Sequence, residues 1–335
     1  MESIFIGRIA LYPFGLAIAA AVGLTVFLTN CAGHRVSVRR GTVSRLAVFC
    51  VIFGVLGARL GYCLCILDGI NEPFLPFLFR LTAGGYMLYG AMAGALGGAA
   101  LTAAVTRQSF FKLTDLLAAP SALLISLARL AEGIAGEGYG WDIADWFSPD
   151  SGMSVFVLED PSFFCRFPFG VSDMYGSWNW SVFIFEALIA AAIFLFLQKK
   201  SYTRPGGKTC LFLLLYAASQ ILCESMRQDA VLRFGFVRVN QVVSAILLMA
   251  LAIFLPVKNE GRVSLRTLLP VFGLLLCFLL ITAMEFAIEK KISQIEWLPT
   301  DLCYLIIAIA CVGIAALIYP QWKRFFDPPQ NRSKA

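Results

Sequence analysis

The stretch S-L-A-R-L-A-E-G-I-A-G-E-G-Y-G, residues 126–140, closes the fourth of nine apolar segments in this 335-residue chain. Arg129 and Glu132 are three residues apart, so on a helix they share one face. Glu137 follows in a run of glycines, where we expect the helix to end. A charged side chain at membrane depth costs roughly 3 kcal/mol or more. The stretch therefore indicates either a site for an ionic group or a buried ion pair that fixes helix packing.

The composition is that of an integral membrane protein. Hydrophobic residues make up 59% of the chain and charged residues 14%, and the mean hydropathy is +0.78. The net charge of +6 implies no nucleic acid, because the basic residues concentrate in short connections between apolar segments. The single histidine, His34, lies in one of these connections. This excludes a multi-histidine metal site and a Ser-His-Asp triad on the opposite side of the membrane, and we expect no metal or cofactor.

Nine stretches are long and apolar enough to span a bilayer as helices. They cover approximately residues 10–30, 45–67, 86–106, 114–136, 180–198, 209–226, 239–256, 267–288 and 302–320. We therefore predict an all-α polytopic membrane protein with about nine transmembrane helices. The one sizeable polar segment, 137–179, is rich in aromatic residues and is predicted to form a small extracytoplasmic cap. Its aromatic residues favour either a belt at the lipid headgroups or a cover over a site at the outer face.

The charges in the connections set the orientation. Segment 137–179 contains seven acidic residues and one arginine, whereas basic residues dominate the connections on the other side. By the positive-inside rule the N-terminus lies outside and the C-terminus lies in the cytoplasm. Seven of the predicted helices fall within residues 1–256 and two within 257–320, and residues 321–335 form a predicted cytoplasmic tail.

Other helices also place polar residues in the outer half of the membrane. Arg59 lies inside the second apolar segment, and Glu186 is a lone acid early in the fifth. Gln220, Glu224 and Arg227 share one face of the sixth. These residues predict a central polar cavity, although a structural network of ion pairs would place them in the same way.

Small residues crowd the third segment. Gly90, Gly94 and Gly98 form two G-x-x-x-G steps, a spacing that lets two helix backbones approach closely. Packing does not account for Tyr86 and Tyr89 in the same segment, whose hydroxyl groups need hydrogen-bond partners if they are buried.

Five motifs occur in an order that resembles a known family. They read G-A-R-L-G-Y at 57–62, G-G-x-x-x-Y-G-A-x-x-G at 84–94, F-F-K-L-T-D-L-L-A-A-P at 110–120, A-R-L-A-E-G-I-A-G-E-G-Y-G at 128–140 and Y-x-x-x-Q-I-L-C-E-S-M-R-Q-D at 216–229. Together they resemble bacterial prolipoprotein diacylglyceryl transferase over roughly residues 10–255. The resemblance implies a seven-helix enzyme of the bacterial plasma membrane with its N-terminus outside.

The resemblance also implies a reaction. The family moves diacylglycerol from phosphatidylglycerol to the lipobox cysteine thiol of a prolipoprotein signal peptide, and it releases glycerol phosphate. The implied partners are these two substrates and membrane lipids, and no nucleic acid. The family's signature arginine and glutamate fall on Arg129 and Glu137. Its second-helix arginine falls on Arg59, and a sixth-helix glutamate and arginine fall on Glu224 and Arg227.

Some family positions are occupied by other residues. Tyr89 replaces a histidine, Gln220 replaces an arginine, and Glu132 replaces an asparagine. The candidate catalytic residues are Arg129, Glu132, Glu137, Glu224 and Tyr89, and the candidate headgroup-binding residues are Arg59, Arg129, Arg227 and Gln220. One alternative function is a divergent relative that binds phospholipid or lipoprotein without this chemistry, or transfers a different lipid. Another is a small transporter with charges along its pathway.

Overall fold

The structure is a computed structural model. It describes residues 4–6, 9–36, 38–39, 41–70, 72–81, 84–173, 175–200, 202–228, 232–234, 237–261, 265–290, 294–295 and 297–327. Nine helices in these ranges are long and apolar enough to cross a membrane. They are α1 Pro13–Arg35, α2 Thr42–Cys65, α4 Leu88–Thr106, α5 Phe110–Ala135, α7 Val182–Lys199, α8 Gly207–Met226, α9 Val239–Glu260, α10 Leu265–Ile288 and α11 Thr300–Phe326. The predicted fold class, an all-α polytopic membrane protein, is confirmed.

The remaining elements are short. Two small helices are α3 Phe74–Phe79 and α6 Ile143–Phe147. Three antiparallel hairpins pair β1 Ile4–Ile6 with β2 Ile9–Leu11, β3 Gly170–Ser172 with β4 Trp178–Trp180, and β5 Arg233–Phe234 with β6 Val237–Arg238. In the second hairpin Val171 lies opposite Asn179. Backbone groups outside the helices are thus paired at the ends of the bundle, where the chain leaves the apolar region.

Close packing of α2 against α4 confirms the small-residue pattern. A Cβ added at Gly98 would lie 2.6 Å from the carbonyl oxygen of Phe49, and one at Gly94 would collide with the carbonyl of Phe53. The two backbones therefore touch along this seam. The tyrosines of the same region have hydrogen-bond partners, since the Tyr86 hydroxyl donates to the Leu81 carbonyl at 2.5 Å and Tyr89 bonds to a serine of α9.

Helix α11 is part of the bundle core rather than an appendage. It packs along α8, and the fully buried Trp322 donates from its indole nitrogen to the Gly207 carbonyl at 2.8 Å. At the other end of α11, the Tyr304 hydroxyl donates to the Ser225 carbonyl at 3.0 Å. We predicted the end of this helix near residue 320, but Trp322 and Phe326 are buried and extend it. The predicted tail beyond residue 327 lies outside the described residues.

The cap between α5 and α7 forms a small aromatic core. Asp142 caps α6 by accepting hydrogen bonds from the main-chain nitrogens of Ala144 and Asp145 at 2.7 and 3.1 Å. Rings of Phe147, Phe164 and Trp180 pack together with centroid separations of 5.3 to 6.1 Å. These contacts favour the interpretation of the cap as a cover.

Helix α11 holds one edge of the cap. The carboxylate of Asp301, in its first turn, accepts hydrogen bonds from Ser154 Oγ at 2.9 Å and from the Val155 nitrogen at 2.8 Å. The Tyr304 hydroxyl accepts a hydrogen bond from the Trp141 indole at 3.0 Å. Helix α11 therefore positions the cap.

Candidate active site

The chain order brings four helix ends to the cap side of the bundle. Helices α5 and α8 end there, and α7 and α9 begin there. Helix α5 stops at Ala135, with Gly136 in the left-handed conformation (φ 72°), as the glycine run predicted. Charged residues near these ends therefore meet at the cap end of the bundle.

Arg129 of α5 lies at the centre of this meeting point. Its Nη1 atom donates to both carboxylate oxygens of Glu132, at 2.7 and 2.9 Å. Its Nε atom lies 2.8 Å from Glu186 Oε2, an ion pair by distance rather than an aligned hydrogen bond. The hydroxyl of Tyr216 also faces the guanidinium. Three helices thus surround one buried positive charge.

Arg227, just beyond α8, contacts the same two carboxylates. Its Nη1 lies 3.1 Å from Glu132 Oε2 and 3.4 Å from Glu186 Oε2. The side chains of both arginines are 7% exposed and that of Glu186 is 3% exposed, whereas that of Glu132 is 21% exposed. Glu132 is therefore the member of this group with the greatest access from outside.

Amide side chains extend the cluster towards α9. Gln220 Nε2 donates to Glu186 at 3.3 Å and to Glu224 at 2.9 Å. Asn240 Nδ2 donates to the same oxygen of Glu224 at 2.6 Å. Neutral donors therefore hold the third carboxylate, Glu224, which is 1% exposed. We refer to Arg129, Glu132, Glu186, Gln220, Glu224 and Arg227 as the charged cluster.

Tyr89 borders the charged cluster without an ion pair. Its hydroxyl is 2.5 Å from Ser244 Oγ, and Ser244 in turn donates to the Asn240 carbonyl at 2.7 Å. Because the serine proton is used there, the Tyr89 hydroxyl donates to Ser244. Its ring lies 6.2 Å from that of Tyr216. Tyr89 is thus held in place by α9.

An apolar groove leads into the charged cluster from the membrane region. It has a volume of about 290 Å³ and runs between α1, α4, α5 and α8. Arg129 and Glu132 line one end, and Thr114 and Thr209 line the other. From Glu132 to Thr114 the groove follows α5 for about 27 Å, at 1.5 Å per residue. Its shape and lining suit a hydrocarbon chain with a polar group at the outer end.

Two candidate residues lie apart from the charged cluster. Arg59 is buried, and its guanidinium donates to the carbonyls of Gly84, Gly85 and Phe77, the last at 3.0 Å. Glu137 is exposed in the turn after α5. Their assignments to the headgroup and to catalysis, respectively, stay predictions.

Sequence reasoning missed several residues that support the charged cluster. Asn240 and Ser244 lie four residues apart at the start of α9, and that i,i+4 spacing was an available signal. Arg238, just before α9, is also buried. Burial, and then the charge of Arg233, lowers the pKa of Arg238, while Glu224 and Glu285 oppose this shift.

Comparison with known proteins assigns the fold to a family. A family model described as prolipoprotein diacylglyceryl transferase matches residues 2–257. The chain belongs to this family. The match includes α1 to α9 up to Val257 and leaves α10 and α11 beyond it.

Curated relatives carry a consistent name. A phosphatidylglycerol–prolipoprotein diacylglyceryl transferase of Bacillus cytotoxicus is 27% identical over 79% of this chain and 95% of its own length. Proteins with the same name from Paenarthrobacter aurescens and Symbiobacterium thermophilum are each 28% identical, over 78% and 73% of this chain and 83% and 87% of their own lengths. The resemblance identified from the five motifs is thus confirmed.

Proposed function

We propose that this chain transfers the diacylglyceryl group of phosphatidylglycerol to the lipobox cysteine thiol of a prolipoprotein, at the outer face of a bacterial plasma membrane. One observation carries the proposal. The buried guanidinium group of Arg129 lines one end of an apolar groove, and the buried Arg227 pairs with Glu132 at that same end. Relatives named for this reaction support it. The proposal includes the orientation that the positive-inside rule predicts, with the N-terminus outside and the C-terminus in the cytoplasm.

In this reaction the arginines act on the phosphate. The thiolate sulfur attacks the glyceryl carbon that bears the phosphate ester. A sulfur–carbon bond forms, and the carbon–oxygen bond breaks with its electron pair moving to the phosphate oxygen. Arg129 and Arg227 stabilise the charge that develops there, because guanidinium groups match phosphate oxygens geometrically.

A carboxylate must accept the thiol proton, since the thiolate is the nucleophile. Glu132 is our choice among the predicted bases because it lines the groove and its side chain is 21% exposed. Glu224 is held by two amide donors and is 1% exposed. After transfer, the proton passes from Glu132 to the departing glycerol phosphate, which balances the reaction.

The test is transfer by the purified full chain in vesicles that contain phosphatidylglycerol and a lipobox peptide, with the product measured by mass spectrometry. We expect the unmodified chain to form diacylglyceryl peptide and Arg129→Ala to form none. Arg80→Ala is the matched control, because Arg80 makes an exposed 2.7 Å ion pair with Glu72. Full activity of Arg129→Ala would remove Arg129 from the mechanism.

A second candidate function is phospholipid or lipoprotein binding without transfer. It is favoured by the charges of the cluster. The three carboxylates outnumber the two guanidinium groups, so fewer positive charges are left to stabilise a leaving phosphate. Complementation of a strain depleted of its own transferase separates the two. Growth supports the transferase, and failure despite normal membrane levels of the chain supports the binding protein.

A further inference from the structure

The two arginines that would bind a lipid phosphate already have anionic partners. Arg129 and Arg227 share Glu132 and Glu186, at N–O distances between 2.7 and 3.4 Å. With all groups ionised, the two arginines and the three carboxylates of Glu132, Glu186 and Glu224 carry a net charge of −1. A phosphate diester adds a further negative charge. A phosphate can therefore take the Nη1 positions of Arg129 and Arg227 only if a carboxylate leaves them.

Burial identifies which carboxylate can leave. Glu186 is 3% exposed in its side chain and accepts a further hydrogen bond from Gln220. Glu132 lines the groove, and its side chain is 21% exposed. Gly138 lies on its other side, where an added Cβ would be 2.8 Å from Phe183 Cβ and 3.4 Å from Glu132 Oε2, so the open side of Glu132 is the groove. Glu132 is the carboxylate with space to move into the groove.

We propose that Glu132 is an exchangeable partner of Arg129 and Arg227, which the phosphate of an anionic lipid displaces when it binds. The inference rests on the proposed function. The exchange replaces one negative charge with another, so the arginines stay paired throughout. Glu132 holds the guanidinium groups in position before the lipid arrives, and it competes with the lipid for them.

The exchange also couples lipid binding to proton transfer. While Glu132 pairs with Arg129 and Arg227, both of its carboxylate oxygens are occupied by guanidinium N–H groups. Once the phosphate displaces it, these oxygens are released and one of them can accept the thiol proton. Glu132 is then both the specificity-determining residue for the donor headgroup and the base of the transfer step.

The test compares Glu132→Gln with the unmodified full chain in two measurements. The first is the affinity of the detergent-solubilised protein for a fluorescent phosphatidylglycerol. The second is kcat for transfer to a lipobox peptide. Removing the competing charge should tighten phosphatidylglycerol binding about tenfold, while removing the base should lower kcat about 100-fold. A merely structural role for Glu132 would weaken both.

Two controls test whether the effects of Glu132→Gln come from the loss of its negative charge. Diacylglycerol has no phosphate, so its affinity should be the same for Glu132→Gln and the unmodified chain. Glu72→Gln breaks an arginine pair of the same 2.7 Å length on the surface and should change neither measurement. If Glu132→Gln does not fold, Glu132→Ala, which also removes the charge, takes its place, and Glu132→Asp is the charge-preserving control. It keeps the charge, so its phosphatidylglycerol affinity should stay within about threefold of the unmodified value.

The outcomes separate this inference from the proposed function. Weaker or unchanged phosphatidylglycerol binding by Glu132→Gln, with transfer by the unmodified chain intact, would overturn the exchange alone. An altered affinity of Glu132→Asp that matches the change in Glu132→Gln would overturn it as well. If the unmodified chain neither binds phosphatidylglycerol nor transfers its diacylglyceryl group, the proposed function and the exchange both fail.

Discussion

Arg129 and Arg59 show two ways in which this helix bundle accommodates a buried guanidinium group. Both are at most 5% exposed, so neither charge is solvated by water. Arg129 contacts the carboxylates of Glu132 and Glu186. Within the described residues, Arg59 forms no ion pair, and it donates to main-chain carbonyls and lies 4.7 Å from the ring centroid of Phe77.

The difference lies in what the partners can do. Main-chain carbonyls belong to the fold and are neutral, so an incoming anion has no charge to replace at Arg59. A carboxylate is an anion on a rotatable side chain, and a lipid phosphate can take its place at Arg129. Burial of an arginine in a membrane protein therefore does not by itself mark a functional site. The chemical type and mobility of its partners do.

The largest expected effect comes from the same substitution at both arginines. Arg129→Lys should lower transfer by about 10² to 10³-fold, because lysine cannot contact two carboxylates and a phosphate with one planar group. Arg59→Lys should reduce thermal stability and leave transfer per folded molecule intact. Vesicle assays measure the transfer activity of both variants, and thermal unfolding measures their stability. Equal losses of activity at the two positions would remove the distinction between them.

A smaller difference in activity is expected from two glycines, one near each arginine site. Gly138 (φ 79°) adjoins Glu132, and Gly85 (φ 75°) accepts a hydrogen bond from Arg59. Alanine at either position is strained in this backbone conformation and should cost about 1–3 kcal/mol of stability. Only Gly138→Ala should also reduce kcat, about tenfold, because an added Cβ would lie 2.8 Å from Phe183 Cβ and 3.4 Å from Glu132 Oε2, so the turn beside Glu132 must shift. A loss of kcat confined to Gly85→Ala would contradict the comparison.

A substitution at Tyr304 tests whether hydrogen bonds from α11 help to position the charged cluster. Tyr304→Phe keeps the ring stacked 6.0 Å from Trp146 and removes the hydrogen bonds with Trp141 and the Ser225 carbonyl. We expect kcat to fall about fivefold, which corresponds to about 1 kcal/mol for the lost positioning. Tyr319→Phe is the control, because Tyr319 accepts a hydrogen bond from Lys200 near the opposite end of the same helix, far from the cap. Similar losses in both variants would mean that α11 acts only through stability.

The smallest effect is expected at a third arginine. Arg80 lies 2.7 Å from Glu72, as close as Arg129 is to Glu132, but its side chain is 53% exposed. Arg80→Ala should change the free energy of unfolding by less than about 1 kcal/mol and leave transfer unchanged. Denaturant unfolding together with the vesicle assay checks both values. A large loss at Arg80 would show that pair distance matters more than burial.

Much of the site follows from spacing along single helices. Arg129 and Glu132, and likewise Gln220, Glu224 and Arg227, share helix faces by their i,i+3 and i,i+4 separations. Their meeting was predicted because four apolar segments each carried a charge near the outer face. The partners of Arg59 were not predictable in this way, since they are main-chain carbonyls of α3 and of the loop after it, and every residue has a carbonyl.

The sequence alone determined the nine spanning helices and the division between acidic cap and basic connections. These properties depend on local segments, because each segment spans the bilayer according to its own apolar length, and the charges of the connections set the orientation. Only the tertiary structure decided that Glu132 bridges Arg129 and Arg227, that Arg59 is occupied elsewhere, and that α11 supports the cap. Those outcomes depend on how helices distant in the chain pack, because a buried charge takes its partner from whichever neighbour the packing brings within reach.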